Sequence, residues 1–83
     1  MKKTVIWSPE ARIDIRSVDQ RVAMRIFDAI DRYVSGGTCN IKRLQWPLEG
    51  YRLRVGDWRV IFVPHPPAGI HIVRVQHRRE AYR

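Results

Sequence analysis

The segment Tyr51-Arg52-Leu53-Arg54-Val55-Gly56-Asp57-Trp58-Arg59-Val60-Ile61-Phe62-Val63 spaces its basic side chains in a way that can build an anion site. Strand side chains alternate between faces, so Arg52 and Arg54 share one face while Tyr51, Leu53 and Val55 share the other. With Gly56-Asp57 as a two-residue hairpin turn, Arg59 lies directly opposite Arg54 on that same face. Like charges facing each other across a ladder weaken a sheet. A chain that accepts this penalty is arranging cations for an anion, and nucleic-acid phosphate is the anion that fits.

These residues need elements to hold them. Thr4-Val5-Ile6-Trp7 reads as a first strand, and Ser8 as the N-cap of a short helix with Pro9 in its first turn and Glu10 near the positive end of the dipole. Ala11, Ile15 and Val18 stand at helical spacing. A bend at residues 17–20 precedes a longer helix capped by Asp19, with Val22, Ile26, Ile30 and Tyr33 or Val34 along one stripe and Gly36-Gly37 at its end. Residues 38–50 read largely as loop. Strands are expected over residues 51–55, 58–63 and 70–76, with Pro64-His65-Pro66-Pro67-Ala68-Gly69 excluding helix between the last two. Pairing Val63 with Ile70 sets Ile61 against Ile72 and Arg59 against Arg74. One sheet face then gathers Arg52, Arg54, Arg59 and Arg74 over a floor of Ile61, Ile70 and Ile72, and continued alternation adds Gln76 and Arg78. The other face carries Tyr51, Leu53, Val55, Trp58, Val60, Phe62, Val73 and Val75 for packing beneath the helices. The expected fold class is α+β, an antiparallel sheet with two N-terminal helices on one face, in the order β-α-α-β-β-β.

Composition agrees. Eighty-three residues suffice for a single domain, 1–83, with one small core. Sixteen Lys plus Arg against eight Asp plus Glu give a formal net charge of +8, which favours a polyanionic partner. Arginine outnumbers lysine, which suits bidentate phosphate recognition and stacking on bases. Cys39 is the sole cysteine, so neither an intramolecular disulfide nor a cysteine-based zinc site is available. His65, His71 and His77 form no metal set, and no cofactor is implied. No signal peptide or membrane-spanning apolar run is read, and the expected compartment is the cytoplasm.

Three segments carry a family likeness: Trp7-Ser8-Pro9-Glu10-Ala11, then residues 51–61 of the arginine hairpin, then Val75-Gln76-His77-Arg78-Arg79-Glu80-Ala81-Tyr82. In this order and spacing they resemble the RelE/ParE superfamily of toxins from type II toxin-antitoxin pairs, and the ends of the pattern are most similar to RelE-type members. The resemblance implies a ribosome-dependent endoribonuclease that cuts messenger RNA and inhibits translation. It also implies an acidic antitoxin that silences the toxin in a hetero-oligomer. Residue by residue it assigns the basic pair of the second strand to Arg52 and Arg54 and the arginine after the hairpin to Arg59. The terminal arginine falls on Arg78 and the base-stacking aromatic on Tyr82. Arg74 joins Arg52 as an RNA contact on the cationic-face argument.

Metal-free RNA cleavage uses the 2′-hydroxyl as nucleophile on the adjacent phosphorus. It requires deprotonation of that hydroxyl, stabilisation of the phosphorane charge and protonation of the departing 5′-oxygen. Fixed guanidinium groups stabilise the phosphorane, and an aromatic ring holds a splayed base. The best-known member carries lysines where this chain has Arg52 and Arg54, one of them in the role of base. Arginine keeps its proton, so His77 is the substitute the sequence offers, provided the last strand ends or bulges before it. The chain also stops at Arg83, without a C-terminal helix beyond Tyr82. Two rival readings share the fold: a ParE-type poison of DNA gyrase, which lacks the terminal arginine-tyrosine pair, and a non-catalytic basic binding module.

Overall fold

The computed structural model describes residues 4–44 and 50–81 of the chain. Among these the elements are β1 (Thr4–Trp7), α1 (Pro9–Arg16), α2 (Gln20–Val34), β2 (Ile41–Leu44), β3 (Gly50–Val55), β4 (Trp58–His65), β5 (Gly69–His77) and α3 (Arg78–Ala81). The two expected helices start where their caps place them. The Ser8 hydroxyl accepts the Ala11 N–H at 3.0 Å, and Asp19 Oδ1 accepts the Arg21 N–H at 2.9 Å, each satisfying a donor that the helix itself leaves open. Gly36, at φ 88, takes the left-handed conformation that follows the end of α2. Ile26, Ile30 and Val34 line the buried stripe of α2 and meet Leu53, Val60, Phe62 and Val75 from the sheet. Tyr33 and Tyr51 flank Phe62 at ring-centroid distances of 5.3 and 5.5 Å. Burial, with smaller contributions from Tyr51 and Cys39, pushes the Tyr33 phenol above its ordinary pKa.

The α+β architecture is as expected, with three refinements. First, the described strands form one five-stranded sheet in the order β1-β5-β4-β3-β2, and β1 runs parallel to β5, so the sheet is mixed rather than purely antiparallel. Second, β2 occupies part of the expected loop and pairs antiparallel with β3, Lys42 facing Arg52. Four residues with two adjacent cations carry no period-2 signal, which is why the sequence pattern misses them.

The third refinement changes which side chains face the helices. The β4–β5 ladder pairs Pro64 with Ile70 and Phe62 with Ile72, then Ile61 with Arg74 and Arg59 with Gln76. Val73 is therefore an extra residue, and this bulge reverses the parity of β5. Ile70 and Ile72 turn into the core rather than joining the cationic floor, leaving Ile61 of the three expected apolar floor residues on that face. The reason is energetic. Burying each isoleucine is worth about 1.5–3 kcal/mol, whereas one disturbed ladder position forfeits a hydrogen bond of about 1 kcal/mol. The bulge is also supported from its flank, because the Ser8 N–H donates to the Ile72 carbonyl and the Ser8 hydroxyl donates to the Val73 carbonyl, both at 2.9 Å.

Candidate active site

The hairpin tip joining β3 and β4 organises the site. Gly56 has φ 60 while Asp57 keeps a negative φ, the pattern of a type II′ turn, which sets Arg54 directly opposite Arg59 as the sequence predicts. The two guanidinium groups differ in surroundings. Arg54 is exposed, and its Nε donates to the Gly56 carbonyl at 3.2 Å, bending the side chain toward the turn. Arg59 is 5% exposed. Its strand is central in the sheet, so Arg54 flanks it on one side and Gln76 on the other. A guanidinium enclosed in this way has few orientations to lose when it meets a ligand.

Two rows of side chains cross this face of the sheet. One runs Lys42, Arg52, Ile61, Arg74, and the other runs Arg54, Arg59, Gln76. Lys42 is an addition that the loop assignment concealed. Arg52 is half-buried, and its Nε is buried without a hydrogen-bond partner among the described residues. Arg74, expected to offer a free cation, instead forks onto Asp14 of α1, with Nε at 2.7 Å from Oδ2 and Nη2 at 3.2 Å from Oδ1. Asp14 Oδ2 also accepts the Val75 N–H at 2.9 Å. β1 pairs with β5 only over residues 69–72, so beyond the bulge α1 lies along an open strand edge, and Asp14 satisfies the N–H exposed there. Nothing in the spacing of Asp14 to Arg74, sixty positions on, signals this contact.

The terminal residues are placed by α3 rather than by continued strand alternation. The Arg78 N–H donates to the Asp57 carbonyl at 2.7 Å, and Arg78 Nη1 stands 4.0 Å from Asp57 Oδ1. Arg78, 58% exposed, is thus anchored at the same hairpin tip that carries Arg54 and Arg59. His77 is not brought to the arginine face. β5 continues through His77, which pairs with Trp58 on the helix side and sets its ring edge against the indole at 5.2 Å. Its Nδ1 accepts the Arg79 N–H at 3.3 Å. An opening of about 620 Å3 beside the tip is lined by Asp57, His77, Arg78 and Arg79. Tyr82 lies outside the described residues. Among the described residues, no group of three or more His, Cys, Asp or Glu is placed to hold a metal ion, and no helix is long and apolar enough to cross a membrane.

Known proteins share this fold. The RelB-RelE antitoxin-toxin complex of Methanococcus jannaschii contains a chain with 22% identity and a TM-score of 0.75, the match covering 93% of this chain and 94% of that one. In the RelBE2 toxin-antitoxin complex of Mycobacterium tuberculosis the identity is 23% and the TM-score 0.79, covering 94% and 93% of the two chains. The RelE-RelB complex of Pyrococcus horikoshii gives 22% and 0.76, covering 94% and 97%. At these identities the likeness establishes the fold. No curated protein matches the sequence. The sequence model of the ParE toxin of the parDE type II toxin-antitoxin system matches residues 5–82, nearly the whole chain. The chain belongs to the RelE/ParE superfamily and is a toxin of the type II toxin-antitoxin class.

Proposed function

We propose that this toxin is a metal-independent endoribonuclease that cleaves messenger RNA on the ribosome and thereby inhibits translation. The observation that supports it most is the fixed Arg54–Arg59 pair at the hairpin tip, with Arg59 enclosed in the central strand and Arg78 tied to the same turn. Rigid cations aimed at one place stabilise charge that develops on a phosphorane without reorganising at the moment of reaction. Arg54, Arg59 and Arg78 take that role, Arg52 holds the strand, and Tyr82 stacks on a base. Proton removal from the 2′-hydroxyl falls to solvent rather than to His77, whose ring lies against Trp58.

The same reading includes an acidic antitoxin as partner. The net charge of +8 favours one, and Ile13, Met24 and Phe27 leave large apolar side chains 66%, 53% and 42% exposed on the helices. The neighbouring folds from M. jannaschii and M. tuberculosis come from complexes with antitoxins. A second reading, poisoning of DNA gyrase, is favoured by one observation: the family model that matches is that of ParE. Induced expression with mapping of messenger-RNA 5′ ends, beside a gyrase-dependent DNA cleavage assay, separates the two. New 5′ ends within translated codons, absent from an Arg54→Ala Arg59→Ala variant, support the nuclease. Gyrase-linked DNA breaks without new RNA ends replace it with the second reading, and neither effect from a folded protein leaves a non-catalytic binding module.

A further inference from the structure

A second set of arginines lies around the edge of the sheet from the site. Two adjoining openings of about 290 and 410 Å3 lie between α2 and the end of β3, and both are lined by Ala29, Arg32 and Arg54. The smaller one adds Arg25 and Asp28 from α2 and Gly56 from the turn. Positions 25, 28, 29 and 32 recur at three- and four-residue spacing, so one side of α2 presents them together. The Arg25 guanidinium reaches the hairpin tip, where a Cβ built on Gly56 would stand 3.7 Å from its Nη2. Arg25 and Arg32 form no ion pair or side-chain hydrogen bond among the described residues, although Asp28 lies three positions from one and four from the other. Arg54 belongs to both regions, opposite Arg59 on the sheet and in the wall of the groove.

We propose that this groove holds the phosphodiester backbone of RNA, so that the strand entering the site passes over the end of β3 at Arg54 and continues between Arg25 and Arg32. The proposal rests on the nuclease reading and extends it to a backbone track outside the reacting centre. The forked donors of guanidinium match carboxylate and phosphate alike, and two other features favour phosphate over a protein carboxylate. The small Ala29 between them leaves room for a bulky anion. The groove is also continuous through Arg54 with the face that would take the scissile phosphate. Asp28 is the carboxylate lining the groove and must oppose binding there.

The test uses a short single-stranded RNA methylated at its 2′-hydroxyls, which binds without being cut, and the full-length toxin with Arg25→Gln, Arg32→Gln, both together, and Asp28→Asn. Arg25, Asp28 and Arg32 are exposed on α2, so the variants should fold, and thermal melting verifies it. Each arginine variant should weaken binding roughly two- to five-fold. Each should also lower the slope of log affinity against log salt by about 0.7, and the double variant by about 1.4. Asp28→Asn should tighten binding. Repeating the titration with purified ribosomes, vacant and programmed with the same RNA, identifies the source of the phosphate: a deficit on vacant ribosomes assigns it to ribosomal RNA, and a deficit only on programmed ones to the messenger. A parental slope in the double variant overturns the groove assignment and leaves the nuclease reading intact. A deficit in antitoxin binding with an unchanged RNA slope also overturns it, making the groove a protein interface. Failure of the parental toxin to bind either RNA removes both.

Discussion

Arg59→Met separates what the cationic floor does for function from what it does to stability. Arg59 faces Arg54 across the β3–β4 ladder and is 5% exposed, so its charge is both opposed and desolvated. Methionine keeps most of the stem's volume and removes the charge. Relief of a directly opposed like-charge pair is worth about 0.2–1 kcal/mol. Arg59 is also held by a further interaction, and removing one member of a buried polar contact costs about 1–3 kcal/mol. For a domain of this size each kcal/mol moves the melting temperature by about 4–8 °C, so with the lost contact outweighing the relieved repulsion Arg59→Met should melt below the parent, by up to roughly 20 °C. On the nuclease reading the same change removes a fixed donor from the phosphorane, and the expected loss is about 10²–10³ in rate. Thermal melting by circular dichroism reads the first quantity, and single-turnover cleavage of ribosome-bound messenger RNA reads the second. Arg59→Lys serves as the control, since it retains the opposed charge but not the planar fork. A higher melting temperature for Arg59→Met would refute the argument, showing that the like-charge repulsion outweighs the contacts that hold Arg59. A less stable variant that still folds and cleaves at the parental rate would leave the stability argument standing and remove Arg59 from the site.

Asp14→Ala should destabilise by about 1–3 kcal/mol, because it strips the acceptor from the Val75 N–H and the partner from Arg74; urea unfolding measures this, and an unchanged midpoint would contradict the edge-capping role. Arg78→Ala should leave stability within about 0.5 kcal/mol of the parent, since the side chain is exposed and 4.0 Å from its carboxylate, while slowing single-turnover cleavage at least tenfold. Equal cleavage by a folded Arg78→Ala protein removes that residue from the mechanism. His77→Gln should cleave within a few-fold of the parent, because the imidazole lies against Trp58 on the helix side; a loss of a hundredfold or more, with ribosome binding intact, would restore the histidine as a proton carrier.

The sequence makes the helices and the arginine hairpin legible because both rest on local rules. Ser8 and Asp19 announce helix starts through side chains that reach donors two or three residues on, and Gly56-Asp57 dictates a register that needs no knowledge of the rest of the sheet. Where the fold depends on distant parts, the pattern is silent or misleading. Strict alternation along β5 puts Ile70 and Ile72 among the arginines, and the bulge at Val73 corrects this with support from Ser8, at the other end of the chain, which takes up its carbonyl. Parallel pairing of β1 with β5 has no local signal either, since nothing near Thr4 states that its partner lies beyond residue 68. The candidate site follows the same division. Arg54 opposite Arg59 is a local consequence of a turn, whereas the neutralisation of Arg74 by Asp14 and the turning away of His77 follow from how α1 and the helix face close over β5.

That closure grades the charge across the sheet. The carboxylates stand at its margins: Asp14 holds Arg74 at the α1 side, and Asp57 sits beside Arg78 at the tip. Arg52 and Arg54 meet no carboxylate among the described residues. A uniform cationic surface would attract anions without placing them, because every position would offer the same potential. With the outer arginines held by their own counter-charges, the charge of Arg52 and Arg54 stays available on β3, beside the turn that constrains Arg54 and the enclosure that constrains Arg59. Position and rigidity therefore coincide. An anion drawn by the net charge of +8 meets available charge where the donors move little, which is the condition for stabilising a transition state rather than merely binding a polyanion.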